Sequence, residues 1–181
     1  MKVIIEGIIL SVCLYLSCAW GIRNGAVHMV FLYDKAVQDR AVKLGLTTEA
    51  DIKKGGKRFK LGGLLFYFGY TMICVFVING ARGFEQSFLQ LVVIFWIMGF
   101  FDRICIDGLW VGHTKAWVIP GTEDLMPYIP VKVHVKKWLV TLIFYPAVGA
   151  LVCWLMAMIL RTQKDRSCAP VQPQTSVFFS L

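Results

Sequence analysis

FLQLVVIFWIMGFFDRICID, residues 88–107, decides the fold. Its first fourteen residues carry no charge, and Asp102, Arg103 and Asp107 follow only at its end. About 20 mostly apolar residues is the length of a helix that crosses a bilayer. The stretch is continuously aliphatic and aromatic and does not alternate as a barrel strand does, so it predicts a helix. Three further runs share this character. Residues 3–22 are interrupted only by Glu6, residues 61–79 are entered from Lys53, Lys54, Lys57, Arg58 and Lys60, and residues 138–160 are entered from Lys136 and Lys137 and left at Arg161. The expectation is an all-α membrane protein with four transmembrane helices: residues 1–160 form one four-span membrane domain and residues 161–181 a flexible tail.

Composition agrees. Of 181 residues, 57% are hydrophobic and 17% charged, against about 45–50% and about 25% in ordinary globular domains. One soluble core of this size does not hide such a surplus, and disordered chains lack these aromatic and aliphatic residues. The net charge of +8 lies between the apolar runs: residues 23–60 alone hold nine basic and four acidic side chains. That is the pattern of loops held at an anionic membrane surface. No base-reading motif accompanies the charge, so nucleic acid is not an expected partner.

Lys2 precedes the first run as in a secretory signal. The run exceeds a signal's usual core, however, and Ser17-Cys18-Ala19 leads into Trp20, so it reads as a span. With four spans, residues 23–60 and 108–137 share one side and carry thirteen basic residues against five on the other. The positive-inside rule then puts both long loops in the cytoplasm and both termini outside a cell membrane. Five of the six cysteines lie in apolar runs and Cys168 in the tail, with no Cys-x-x-Cys pair, so neither disulfide framework nor metal site is expected.

In the first loop, Val37, Ala41 and Leu44 fall near one helical face and Gly45 is a natural stop. Thr48-Glu49-Ala50-Asp51 reads as the capped start of a short second helix. The pair is expected to lie on the inner leaflet as an amphipathic hairpin. In the second loop, Pro120-Gly121 signals a turn, and residues 131–136 alternate as a short extended or interfacial stretch would. Five tryptophans, Trp117 among them, lie mostly near span ends and read as interfacial anchors. In the fourth span, Pro146 is expected to free the carbonyl of Leu142 and kink the helix.

The segments YDKAVQDRAVKLGLTTEADIKK (33–54), FVINGARGF (76–84) and HTKAWVIPGTEDLMPYIP (113–130) together resemble a family of small multi-pass membrane proteins of anaerobic Gram-positive bacteria. Val-Ile-Pro-Gly-Thr-Glu in the cytoplasmic loop is the most specific part, and residues 30–160 are covered. The resemblance implies membrane location and architecture; no catalytic role is carried over from it.

Ionisable residues in a span are costly and invite a functional reading. Arg103 and Asp107, four apart, pair along one face, leaving Asp102 without a partner in its own helix. Asp102, Asp107, His113 and Lys115 are the candidate catalytic residues, able to bind a lipid phosphate or a metal or to move a proton. The opposing reading is a helix end anchored by snorkelling charges. Glu6 lies at a depth that differs from that of Asp102 by roughly 16 Å, at 1.5 Å per residue, and is expected to sit near Arg82. His28, His113 and His134 share a side without the spacing of paired metal ligands. The expected role is a non-catalytic membrane component, an accessory subunit or small-molecule carrier. Its expected partners are membrane lipids and a second copy or another membrane subunit. The alternative is a membrane enzyme acting at the cytoplasmic interface through Asp102, Asp107 and His113, with no cofactor specified.

Overall fold

The apolar runs become helices because a backbone in hydrocarbon must satisfy its own hydrogen bonds. A computed structural model describes residues 1–167. Besides three 3-10 segments, Ala26–Leu32, Lys115–Trp117 and Glu123–Leu125, the described residues form five longer helices: α1 (Lys2–Ile22), α2 (Lys35–Lys43), α3 (Glu49–Ile78), α4 (Phe84–Val111) and α5 (Val131–Ile159, continuing to Ser167). All except α2 are long and apolar enough to cross a membrane, and no strand occurs among the described residues. The tail beyond Ser167, with Cys168, lies outside them.

The buried positions of α1 repeat at helical spacing as Glu6, Gly7, Leu10, Ser11 and Cys18. Ile4, Ile5, Ile8, Ile9, Val12 and Leu16 point outward and are about half exposed. Such an outer surface suits hydrocarbon and not water. Helix α4 is central, packing on α1, on α5 and on the end of α3. Close approach is made by small residues. A Cβ on Gly7 would lie 2.9 Å from Ile97, one on Gly99 2.6 Å from Thr141, and one on Gly149 2.8 Å from Leu91.

Several local expectations are revised. Thr48 does cap a helix, its Oγ1 accepting from Asp51 N at 3.2 Å, but that helix is α3 itself, continuous to Ile78. Residues 131–136 are likewise the first turns of α5 and not extended chain. Ahead of Pro146 the helix shifts to i→i+5 bonding, with Tyr145 N reaching Val140 O. The proline then falls opposite Thr141 O rather than Leu142 O, and Trp96 Nε1 donates to that carbonyl at 3.2 Å.

The two long loops fold on each other as a cap over one end of the bundle. Helix α2 stops at Gly45, whose φ of 70° suits glycine, and Leu46 N returns to Ala41 O. Its apolar residues Val37 and Ala41 are buried with Trp117, Ile119 and Tyr128 of the second loop and Ile106 and Val111 of α4. Val37 and Ala41 of the apolar face of α2 are thus spent on the protein's own cap, while Leu44 stays about half exposed. Tyr33 Oη donates to Trp117 O at 2.5 Å, and Arg40 reaches Asp124 at 3.2 Å. The turn at Pro120-Gly121 forms as expected, Gly121 taking a φ of 80°.

Candidate functional site

Beneath the cap, the last turns of α4 carry the ionisable residues of the third span. Hydrogen bonding over Asp102–Val111 follows the i→i+5 pattern, as it also does over Leu64–Phe68, Ile73–Ile78 and Val140–Phe144. Residues five apart in an α-helix point about 140° away from each other at 100° per residue. The widened register draws Asp102 and Asp107 toward one side.

Arg103 bridges them. Its Nη2 donates to Asp102 Oδ2 at 2.6 Å and its Nη1 to Asp107 Oδ2. Lys137, from the start of α5, donates to both oxygens of Asp107 at 3.0 and 2.8 Å. Two acids and two bases form one charge-balanced network, with the side chains of Arg103 and Asp107 only 10% and 8% exposed. Asp102 therefore has a partner after all, its own neighbour Arg103. Lys137 was invisible in the sequence because it lies 30 residues from Asp107 and reads there as one of two basic residues at a span entrance.

The network forms part of the wall of a cavity of about 270 Å³ between α1, α4, α5, Phe59 of α3 and the cap. Cys18, Tyr33, Ile106, Trp117 and Tyr128 supply further lining. Trp117 is 2% exposed and belongs to the core of the cap, a correction to its reading as an interfacial anchor. Two residues that line it, Arg103 and Trp117, each keep a buried donor, Nε and Nε1 respectively, without a hydrogen-bond partner. Buried polar groups are normally satisfied. The phenol of Tyr33 is pushed above its ordinary range by burial, with the nearby Tyr128 adding to the effect.

The sequence candidates divide between places. Asp102 and Asp107 share the cavity. His113 is exposed, its Nδ1 2.8 Å from Gly108 O. With His134 and Asp107 it lines a second, smaller cavity of about 210 Å³. Lys115 is exposed on a short 3-10 turn and lines neither cavity. Asp107 is the one ionised group common to both walls.

No family model matches the chain, and neither a curated protein nor a solved structure matches it. At the far end of the bundle, Glu6 is buried and accepts from Asn79 Nδ2 at 3.1 and 3.0 Å. Asn79 takes the place expected of Arg82. Glu6 lines none of the walls around Asp102, in keeping with the depth difference read from the sequence. Among the described residues, no three His, Cys, Asp or Glu side chains gather as a metal site would require.

Proposed function

We propose that this protein is a non-catalytic component of the cell membrane, a carrier or accessory subunit that holds a small molecule in the cavity beneath the cap. On this reading both long loops face the cytoplasm and both termini face outside, as the excess of basic residues in the loops supports. The likeness to the small multi-pass family carried by Val-Ile-Pro-Gly-Thr-Glu is part of the same proposal. The observation that carries it is a cavity of about 270 Å³ whose lining residues Arg103 and Trp117 each keep a buried donor without a partner.

Both unpartnered groups donate, and the ionised groups already balance one another. The cavity therefore favours an uncharged molecule with acceptor oxygens on an otherwise apolar frame. Engagement of the carboxylates by Arg103 and Lys137 weighs against an enzyme, since neither acid is left as a free base.

The test is native mass spectrometry of the full chain extracted in mild neutral detergent, wild type beside Trp117→Phe. Phe keeps an aromatic ring and removes the donor. The wild type is expected to carry a non-protein mass below that of a phospholipid. Its affinity, read as occupancy below saturation, should fall in Trp117→Phe by about two- to twelvefold, the worth of one net hydrogen bond of roughly 0.5–1.5 kcal/mol. A wild type with no such mass, or a variant that retains it in full, would overturn the proposal.

A further inference from the structure

A single face of α3 changes from charge to hydrocarbon along its length. Lys53, Lys57 and Lys60 recur at i, i+4 and i+7, all exposed, and Leu64, Tyr67 and Phe68 line one crevice together with Lys60. The lysines line a shallow depression against Phe31. Lys60 also stands at the edge of that crevice, which measures about 330 Å³ and is closed by Leu91 and Phe95 of α4 and Phe144 and Val148 of α5. That is about twice the roughly 150 Å³ of an apolar cavity that takes benzene. Lys53 has a distant ion pair, 3.9 Å from Glu49, whereas Lys57 and Lys60 have none among the described residues.

We propose that this face binds one anionic glycerophospholipid. Its phosphate lies against Lys57 and Lys60, with Lys53 above, and one acyl chain fills the crevice between α3, α4 and α5. Charge complementarity selects this occupant: the cations sit where the apolar surface begins, the level of lipid headgroups. A water-soluble acidic partner would have no use for a crevice flanked by outward-facing Leu61, Leu64 and Leu65. A second copy of the chain related by a twofold axis would set the lysine row against itself. The inference rests on membrane insertion alone and shares no residue with the cavity beneath the cap, so either proposal can fail without the other.

The experiment is a native mass-spectrometric titration of delipidated full-length protein in neutral detergent. Phosphatidylglycerol, phosphatidylcholine with the same acyl chains, and glycerol phosphate are added separately. One phosphatidylglycerol is expected to bind at least tenfold more tightly than phosphatidylcholine. K57Q/K60Q should weaken it about twenty-five-fold, close to fivefold for each lysine near a membrane surface. K54Q/R58Q removes equal charge from other faces of the exposed start of α3 and is expected to leave the affinity within twofold. Equal binding of the two lipids would overturn the proposal, as would equal losses in the two double variants. Glycerol phosphate binding as tightly as the lipid, or a dimer that phosphatidylglycerol does not dissociate, would also overturn it.

Discussion

Asp102 and Asp107 are both aspartates of one helix, yet their surroundings make them unequal. Asp107 accepts from Arg103 and from Lys137 and is almost wholly buried, while Asp102 accepts from Arg103 and is 22% exposed. Asp107→Asn would leave two cations with a single acid between them. Removing one partner of a buried pair costs about 3–5 kcal/mol. Asp102→Asn leaves Arg103 with Asp107 and should cost about 1–2 kcal/mol, nearer the value of a partly exposed charged hydrogen bond. Thermal unfolding of both variants in one detergent checks the order, and equal losses would contradict it. Adding Lys137→Met to Asp107→Asn should restore part of the loss, because the two sites are coupled. The i, i+4 pairing of Arg103 with Asp107 was legible in the sequence. The place of Asp102 was not, because a 3.6-residue period puts it on another side of the helix, and only the widened register turns it toward the site.

Elements show a similar division. The four spans, the stop at Gly45 and the turn at Pro120-Gly121 follow from local chemistry and were read correctly. The start of α3 at Thr48 was read from its cap, but its continuity with the second span, and the start of α5, were hidden because Glu49–Lys60 and Val131–Lys137 are too polar for an apolar window. A helix outside hydrocarbon needs only its own backbone bonds and a cap to continue. The docking of one loop on the other was hidden too, since nothing near Tyr33 in sequence points to Trp117. That junction is testable. Tyr33→Phe would leave Trp117 O without its buried donor, a loss of about 1–3 kcal/mol at neutral pH. Burial raises the Tyr33 phenol. Its contribution is therefore complete below the ordinary tyrosine value of about 10 and is lost as pH rises through the higher folded value. Wild type and variant should differ most at pH 7 and converge above about pH 10. A gap of the same size at both pH values, measured by thermal unfolding, would contradict a phenol held neutral by burial.

At the scale of the whole molecule, charge is segregated by end. The balanced network and the cap occupy the loop side, Glu6 with Asn79 the other, and apolar packing around α4 lies between them. The proposed orientation is checked by single cysteines at Lys54, Lys115 and Arg82, all exposed, in a chain freed of its native cysteines. Thr122 does not serve, being fully buried. A membrane-impermeant thiol reagent applied to intact cells is expected to label only the position of Arg82. Labelling at Lys115 from outside would reverse the topology. The cap, finally, has a timetable. Arg40 and Asp124 are 84 residues apart, as are Tyr33 and Trp117. At about 5–20 residues per second, the ribosome delivers the second half of the cap roughly 4–17 s after the first. For that interval Val37 and Ala41 are without the surface that later covers them, and the cap closes only once α4 has been made. The first loop thus waits with Val37 and Ala41 uncovered until residues 117–128 have been made.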